Sequence, residues 1–377
     1  MLKVNYKLGH LPFSKFKVMA ANSTLDIRMA SCCIPVCAAC SYSKATRKPW
    51  RNKRPNRHIG SQGTTVPGAC ISVNQMESPI SGLVAHMKKN PTTWIYKLAT
   101  IFVDYYSRMG YLHLQENLKA NNTLKAKEAF EKHCNLFRIK IKQYHRDNGR
   151  FAEKVFVENI HQKGQTITYC GVNAYFQNGI AEKCIRDLQD TARTMILHAN
   201  AWWPKAMSNH LWPYTMQQAN DIMNAASTRN DNKSAIGVFS GMETKARLGQ
   251  FHLLGCPAYI LQNSLQAGQQ IPKWHRRAQL GLFLGHSPTQ ACLVALILNF
   301  NTGLVSTQFH VKFDDLFKTV KDPDNEHPFL WKIRTHFVTE PRVGSPKIIE
   351  RAEKDREIKE QIPEAPDLMT RIRCHAH

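Results

Sequence analysis

The sequence is short of carboxylates and has no long apolar run. Over 377 residues, 28 Asp and Glu face 51 Lys and Arg, a formal excess of +23. So large an imbalance exceeds what solubility needs and points to a polyanionic partner. Nucleic acid leads, although a basic organellar or ribosomal protein would share the feature. No stretch reaches the roughly 18 apolar residues of a bilayer-crossing helix. The longest is the short run from Ala291 to Leu298, so no membrane partner is expected. Met1 does not open the cationic-then-apolar pattern of a secretory leader. The eleven cysteines are odd in number, which argues against a disulfide framework and for reduced thiols or metal ligands in an intracellular chain. There is no internal repeat.

The charge that is present is unevenly placed. Residues 1–67 hold twelve Lys or Arg and a single acid, Asp26. Seven of the twelve lie between Lys44 and Arg57, with two prolines and one Trp. Such a run cannot bury a core and reads as a solvated, extended linker. Its Arg47, Lys48, Arg51, Lys53 and Arg54 are candidate DNA-phosphate contacts.

Beyond Gly68 the pattern becomes strand-like at Ile71 and Val73, from Trp94 to Val103, and from Tyr111 to Leu114. A helix capped by Thr123 is expected to run to about Phe137 with Leu124, Ala126, Ala129, Phe130 and Cys134 inward. Ile139 and Ile141 alternate with lysines, so a strand should run from there towards Asp147 and close in the turn Asp147-Asn148-Gly149. A short helix from Ala152 to Ile160, a strand from Thr166 to Cys170 and a long helix follow. In that last helix Ala181, Ile185, Leu188, Ala192 and Met195 recur at spacings of four and three. Strands followed by alternating strands and helices make an α/β domain. The expected division is an amino-terminal module and linker over 1–60, the α/β core over 66–205 and a helical connection over 206–270. A small β-barrel over 271–320, with a hairpin at Asn301-Thr302-Gly303, and a charged tail over 321–377 complete it.

Two carboxylates stand out: Asp147 at a strand end and Glu182 in the first turn of the long helix, separated by 34 intervening residues. Phosphoryl transfer on DNA is served by two divalent ions about 3.5–4 Å apart, held by oxygen ligands from separate elements. Alone, the pair also fits a turn-forming Asp and a helix-dipole Glu. On the same helix Lys183 and Arg186 are open to two uses, a DNA-phosphate contact or an ion pair between Arg186 and Glu182 four residues away. Trp202, Trp203 and Trp212 read as packing residues.

The runs Tyr144-His145-Arg146-Asp147-Asn148-Gly149 and Phe176-Gln177-Asn178-Gly179-Ile180-Ala181-Glu182-Lys183 closely resemble the second and third acidic motifs of copia-type retrotransposon integrases. Ile101-Phe102-Val103-Asp104-Tyr105-Tyr106-Ser107-Arg108 is similar to that family's second strand. Leu253-Leu254-Gly255-Cys256-Pro257-Ala258-Tyr259 and Gly281-Leu282-Phe283-Leu284-Gly285 resemble its approach to the downstream barrel and a strand of it. The resemblance covers residues 5–317. It implies a ribonuclease H-like core, preceded by a small zinc-binding-like module and followed by a small barrel, with Asp147 and Glu182 as ligands of Mg²⁺ or Mn²⁺. The implied function is an integrase that binds the ends of a linear DNA copy and joins them to target DNA, as a homo-oligomer in the nucleus.

The sequence departs from the family twice. Where the family's first catalytic Asp stands on the first strand, this chain has Asn74, which offers one neutral oxygen in place of a charged pair. At the amino terminus the family carries two His and two Cys for Zn²⁺. His10, Cys37 and Cys40 match three of them, but the remaining His position holds Asn5, leaving Cys32 or Cys33 as substitutes. Two lost ligands suggest a decaying copy, and the alternative to a working integrase is a non-catalytic nucleic-acid-binding remnant.

If the basic run carries the electrostatics, replacing Arg47, Lys48, Arg51, Lys53 and Arg54 by Ala should flatten the dependence of log affinity for duplex DNA on log salt. Each lost phosphate contact accounts for about 0.9 of slope, several units in all. Binding measured across a salt series checks this, and an unchanged slope would assign the contacts elsewhere.

Overall fold

A computed structural model describes residues 1–46, 64–83, 95–147, 154–171, 175–204, 206–226, 233–242, 248–290 and 293–320. The basic run with Arg47, Lys48, Arg51, Lys53 and Arg54, the Asn148-Gly149 half of the expected turn and the tail over 321–377 lie outside the described residues.

The chain opens with three short helices, α1 (Leu2–Lys7), α2 (Phe13–Ala21) and α3 (Ala38–Ser43). They are too short to hold themselves together. Leu8, Leu11, Phe16 and Met19 instead form a buried cluster with Ile222 and Ala226 from the middle of the chain.

The first sheet begins as a meander of β1 (Ile71–Leu83), β2 (Ile95–Asp104) and β3 (Gly110–Gln115), paired antiparallel. Asp104 makes the β2–β3 turn tight. One carboxylate oxygen accepts from the Ser107 N–H and hydroxyl, both at 2.7 Å, and the other from the Gly68 N–H at 2.8 Å. The turn also takes Arg108 into the left-handed region, at φ 66°. Next come α4 (Ala120–Leu136), β4 (Gln143–Arg146), α5 (Lys154–Gln162), β5 (Thr166–Tyr169) and α6 (Gly179–Trp202). The sheet order is β3-β2-β1-β4-β5, with β4 parallel to β1 and β5 parallel to β4. Parallel neighbours need long crossovers, and α5 is the one between β4 and β5. This mixed sheet with its helices is the α/β core expected from the sequence.

Its interior is built from Ile71, Val73, Phe102, Phe130, Tyr144 and Phe156. On α4, Ala126, Phe130 and Cys134 are buried as their spacing predicts, while Leu124 and Ala129 are half-buried. The helix starts at Ala120, so Thr123 is no cap: it is buried within the first turn, where its hydroxyl accepts from Gln75 Nε2. The strand expected from Ile139 pairs only from Gln143 onwards.

The segment after α6 does more than connect. Helix α7 (Trp212–Ala225) packs against α6, and α8 (Ala235–Ser240) packs against α7. The Trp212 indole donates to Ile80 O at 2.9 Å, and Asn224 bonds both the N–H and the carbonyl of Gly110. Gly82 is needed beside Trp212, because an added Cβ would lie 2.7 Å from the indole nitrogen. Trp203 and Trp212 are buried as expected, whereas Trp202 is 44% exposed.

A second sheet contains β6 (Pro257–Leu261), then, after the one-turn helix α9 (Asn263–Gln266), β7 (Ala278–His286), β8 (Ala295–Asn299), β9 (Val305–Gln308) and β10 (Val311–Phe313). Its order is β10-β6-β7-β8-β9, all antiparallel. The division at residue 270 is therefore corrected: β6, assigned by sequence to the helical connection, is a strand of this sheet. A five-residue strand next to a Gly-Cys-Pro turn carries too weak an alternation to be read as one. Only two residues join the edge strands β9 and β10. A flat sheet would hold those edges about 19 Å apart, so the sheet must curl strongly.

One polar network inside the core escapes any hydrophobic pattern. Glu131 of α4 is bonded by Lys127 (2.7 Å), Lys163 (2.6 Å), Gln165 (2.8 Å) and the Tyr144 hydroxyl (2.8 Å). Burial alone would raise its carboxyl, but the hydrogen bonds from Lys127, Lys163 and Gln165 outweigh it and lower it from 4.5 to about 2. Glu131→Ala leaves Lys127 buried without its partner and should cost about 3–5 kcal/mol in urea unfolding. Because the folded value is depressed, the stabilisation is complete above the ordinary value and is lost as pH falls from 4.5 towards about 2. The wild type should weaken over that window, and Glu131→Gln should lack this part of the decline.

Candidate functional site

The start of α6 is fastened directly to β1. Ser72 donates its hydroxyl proton to Asn178 Oδ1 at 2.6 Å and accepts from the Ala181 N–H at 3.2 Å. Asn178 Nδ2 donates to Val73 O at 3.0 Å. These bonds place Glu182, the residue after Ala181, beside the stretch of β1 that leads into Asn74. From the other side, β4 pairs with β1 so that Ile71 faces Tyr144 and Ser72 faces His145. Continued for two residues, that register brings Asp147 level with Asn74. Cys170, just past β5, reports the convergence of the two acids: its thiol is raised by burial first and then by the charges of Asp147 and Glu182. The β4 register and the Ser72–Asn178 tie thus direct the segments that carry Asp147 and Glu182 towards the part of β1 that carries Asn74.

Asn74 does not imitate a carboxylate there. Its Oδ1 accepts from the N–H of Gln75 at 2.8 Å, a local bond that engages the one oxygen it has. Arg146, the residue before Asp147, is fully buried. It donates to the Tyr169 hydroxyl at 2.8 Å, with its guanidinium 4.5 Å from that ring and 5.3 Å from Phe156. Burial lowers its pKa, while Tyr169 and Asp147 act to retain the charge. Sequence reasoning quoted Arg146 as part of a motif without seeing that it is buried, and it missed Ser72 and Cys170. A lone Arg in a strand with alternating burial was the available signal.

Lys183 and Arg186 are exposed, and among the described residues no ion pair joins Arg186 to Glu182. Lys183 also borders a cleft of about 640 Å³ with Lys15, Tyr105, Tyr106, Arg108 and Asp187. Burial lowers the Lys15 amine, Asp187 opposes that shift, and Lys183 and Lys44 add to it.

The second cluster is at the amino terminus. Gly9 and His10 both take left-handed backbone, at φ 58°, and the sharp turn brings His10 back towards α3. His10 Nδ1 lies 3.4 Å from Cys37 Sγ and 3.5 Å from Cys40 Sγ, and the ligand atoms of the three residues are within 4.8 Å of one another. A tetrahedral zinc with ordinary Zn–S and Zn–N bonds separates nitrogen from sulfur by about 3.5 Å, so the donor set fits that ion. A bond from Cys40, assisted by His10, lowers the Cys37 thiol to about 4 against the opposing effect of burial, and Cys40 is pushed up in return. Neither substitute ligand is present: Cys32 and Cys33 are exposed, and Cys32 donates to Arg28 O at 3.0 Å. Asn5 is buried, with Nδ2 donating to Leu11 O at 2.9 Å and Oδ1 without a hydrogen-bond partner. Among the described residues the cluster therefore has three protein donors.

No family model and no curated protein matches the chain. Among solved structures, the chain is similar to the catalytic core domain of HTLV-2 integrase in complex with magnesium, at 14% identity and a TM-score of 0.33 over 46% of this chain and 98% of that one. It is also similar to the catalytic core domain of BIV integrase, at 13% identity and a TM-score of 0.32 over 46% and 93%. A third likeness is to a simian T-cell lymphotropic virus intasome in complex with PP2A regulatory subunit B56 gamma, at 12% identity and a TM-score of 0.35 over 64% and 79%. The architecture described above rests on its own strand order and register.

If the amino-terminal cluster holds zinc, elemental analysis of the purified chain should find up to one equivalent. Cys37→Ser together with Cys40→Ser should abolish it and loosen the first forty or so residues, since metal binding and local folding are coupled. A metal-free preparation with an equally protease-resistant amino terminus would contradict the site.

Proposed function

We propose that the chain is the integrase segment of a copia-type retrotransposon polyprotein, which binds DNA but is impaired in strand transfer. The observation that carries the reading is the convergence of β4 and the start of α6 on the first residues of β1, through the β1–β4 register and the Ser72–Asn178 tie. Two acids from different elements at one edge suit the attack of a DNA 3′ hydroxyl on a phosphodiester. Lys183 and Arg186, one and four residues beyond Glu182, are exposed to meet phosphates. Their place beside the acids would position a DNA end with its hydroxyl at the edge.

The Mg²⁺ or Mn²⁺ ions implied by the family do not fit the donors as they stand. A two-ion site needs charged oxygens from three positions, and one is an amide whose oxygen is already bonded. Asp147 and Glu182 are proposed as the surviving metal ligands. At the amino terminus, His10, Cys37 and Cys40 are proposed to hold Zn²⁺ in a structural role, ordering the α1–α3 module against the core. The reading carries with it a homo-oligomer acting in the nucleus. The second reading, a non-catalytic DNA-binding remnant, is favoured by the same Asn74.

A strand-transfer assay with Mg²⁺ or Mn²⁺ separates the two. The wild type should join DNA ends slowly or not at all. Asn74→Asp should raise the rate by about a thousandfold, the equivalent of roughly 4 kcal/mol in the barrier. Adding Glu182→Gln to that variant should remove the gain. If the wild type is as fast as Asn74→Asp, Asn74 is not the catalytic position. If neither is active while both bind DNA, the chain is a remnant.

A further inference from the structure

From Thr244 to Phe313 the chain runs for seventy residues without a single carboxylate side chain, and it carries six Lys or Arg there. Three of the six, Lys273, Arg276 and Arg277, lie within three residues of Trp274, and all are exposed. Trp274 is 95% exposed, more than any other large apolar side chain among the described residues.

This exposure is built into the loop before β7. Pro272 O accepts from the His275 N–H at 3.0 Å, closing a turn with Lys273 and Trp274 at its tip. The far side is fastened too: Arg277 O accepts from the Gln262 N–H at 2.9 Å, and Arg276 O accepts from Gln262 Nε2. The backbone is thus hydrogen-bonded on both sides of an almost fully exposed indole. An indole ringed by cations, in a seventy-residue stretch without acids, complements a partner with flat apolar faces on a polyanionic chain. Nucleic acid has both. A duplex hides its base faces in the stack, so the matching partner is a strand with unpaired bases.

We propose that the 272–277 turn is a binding site for single-stranded nucleic acid, with one unpaired base stacking on Trp274 and Lys273, Arg276 and Arg277 meeting the adjoining phosphates. The site rests on reading the chain as a nucleic-acid-binding protein, and it is independent of Asn74, Asp147 and Glu182.

The test uses the full chain and fluorescence anisotropy with a labelled oligodeoxythymidine, a blunt duplex of the same length and phosphatidylserine vesicles. Trp274→Ala should weaken oligodeoxythymidine binding by about tenfold, the scale of one base stack, and leave duplex binding as it was. Trp274→Phe should keep most of the affinity. Lys273→Ala, Arg276→Ala and Arg277→Ala together should flatten the single-strand salt slope by about two units. Unchanged strand binding in Trp274→Ala, an equal loss on the duplex, or a loss seen only on vesicles would each overturn the site while leaving DNA binding standing. Failure of the full chain to bind either nucleic acid would overturn the DNA-binding reading along with it.

Discussion

The fastening of α6 to β1 is the contact on which the candidate site depends. A helix of 24 residues has its buried stripe to hold it on the sheet, but a stripe alone lets a helix slide and rotate. The Ser72 hydroxyl, bonded at once to Asn178 and to the Ala181 N–H, fixes both the height and the rotation of the first turn. Glu182 follows from that fixed point. The parallel pairing of β4 sets Asp147 in the same way, because shifting a strand by one residue would turn its side chain to the other face. Two local constraints on β1, at Ser72 and at the β4 register, therefore assemble groups drawn from three separate stretches of sequence.

Much of this could be read in advance because periodicity and short motifs are local. The buried stripe of α6 and the burial of Ala126, Phe130 and Cys134 follow from spacing. Three things could not be read that way. β6 is five residues in a segment that otherwise looks helical, and it becomes a strand only because β7 and β10 flank it. Lys127 and Glu131 fall on the inward side of α4, where polarity suggests exposure; they are buried because they pair with each other and because Asn159 satisfies Lys127 while Lys163, Gln165 and Tyr144 satisfy Glu131. The role of Ser72 depends on Asn178, more than a hundred residues away.

On the proposed copia-type reading, the two departures from the expected pattern differ in consequence. On that reading, the amide of Asn74 stands where a carboxylate would add charge to the metal site, while the strand and the Ser72–Asn178 tie remain in place. At the amino terminus, the same reading would put a fourth donor at Asn5, and His10, Cys37 and Cys40 converge at distances suited to zinc without it. Packing of Leu8, Phe16 and Met19 against Ile222 and Ala226 gives that module support beyond any metal. The fold accommodates Asn at both positions; on the proposed reading it is the chemistry that bears the loss.

The most direct test of the proposed shared edge is a crystal structure of the Asn74→Asp variant grown with Mn²⁺ and read by anomalous scattering. The account predicts a manganese peak bounded by the side chains at positions 74, 147 and 182, with the Ser72–Asn178 bonds intact. Manganese elsewhere, or Glu182 turned away from β1 with that tie broken, would contradict it.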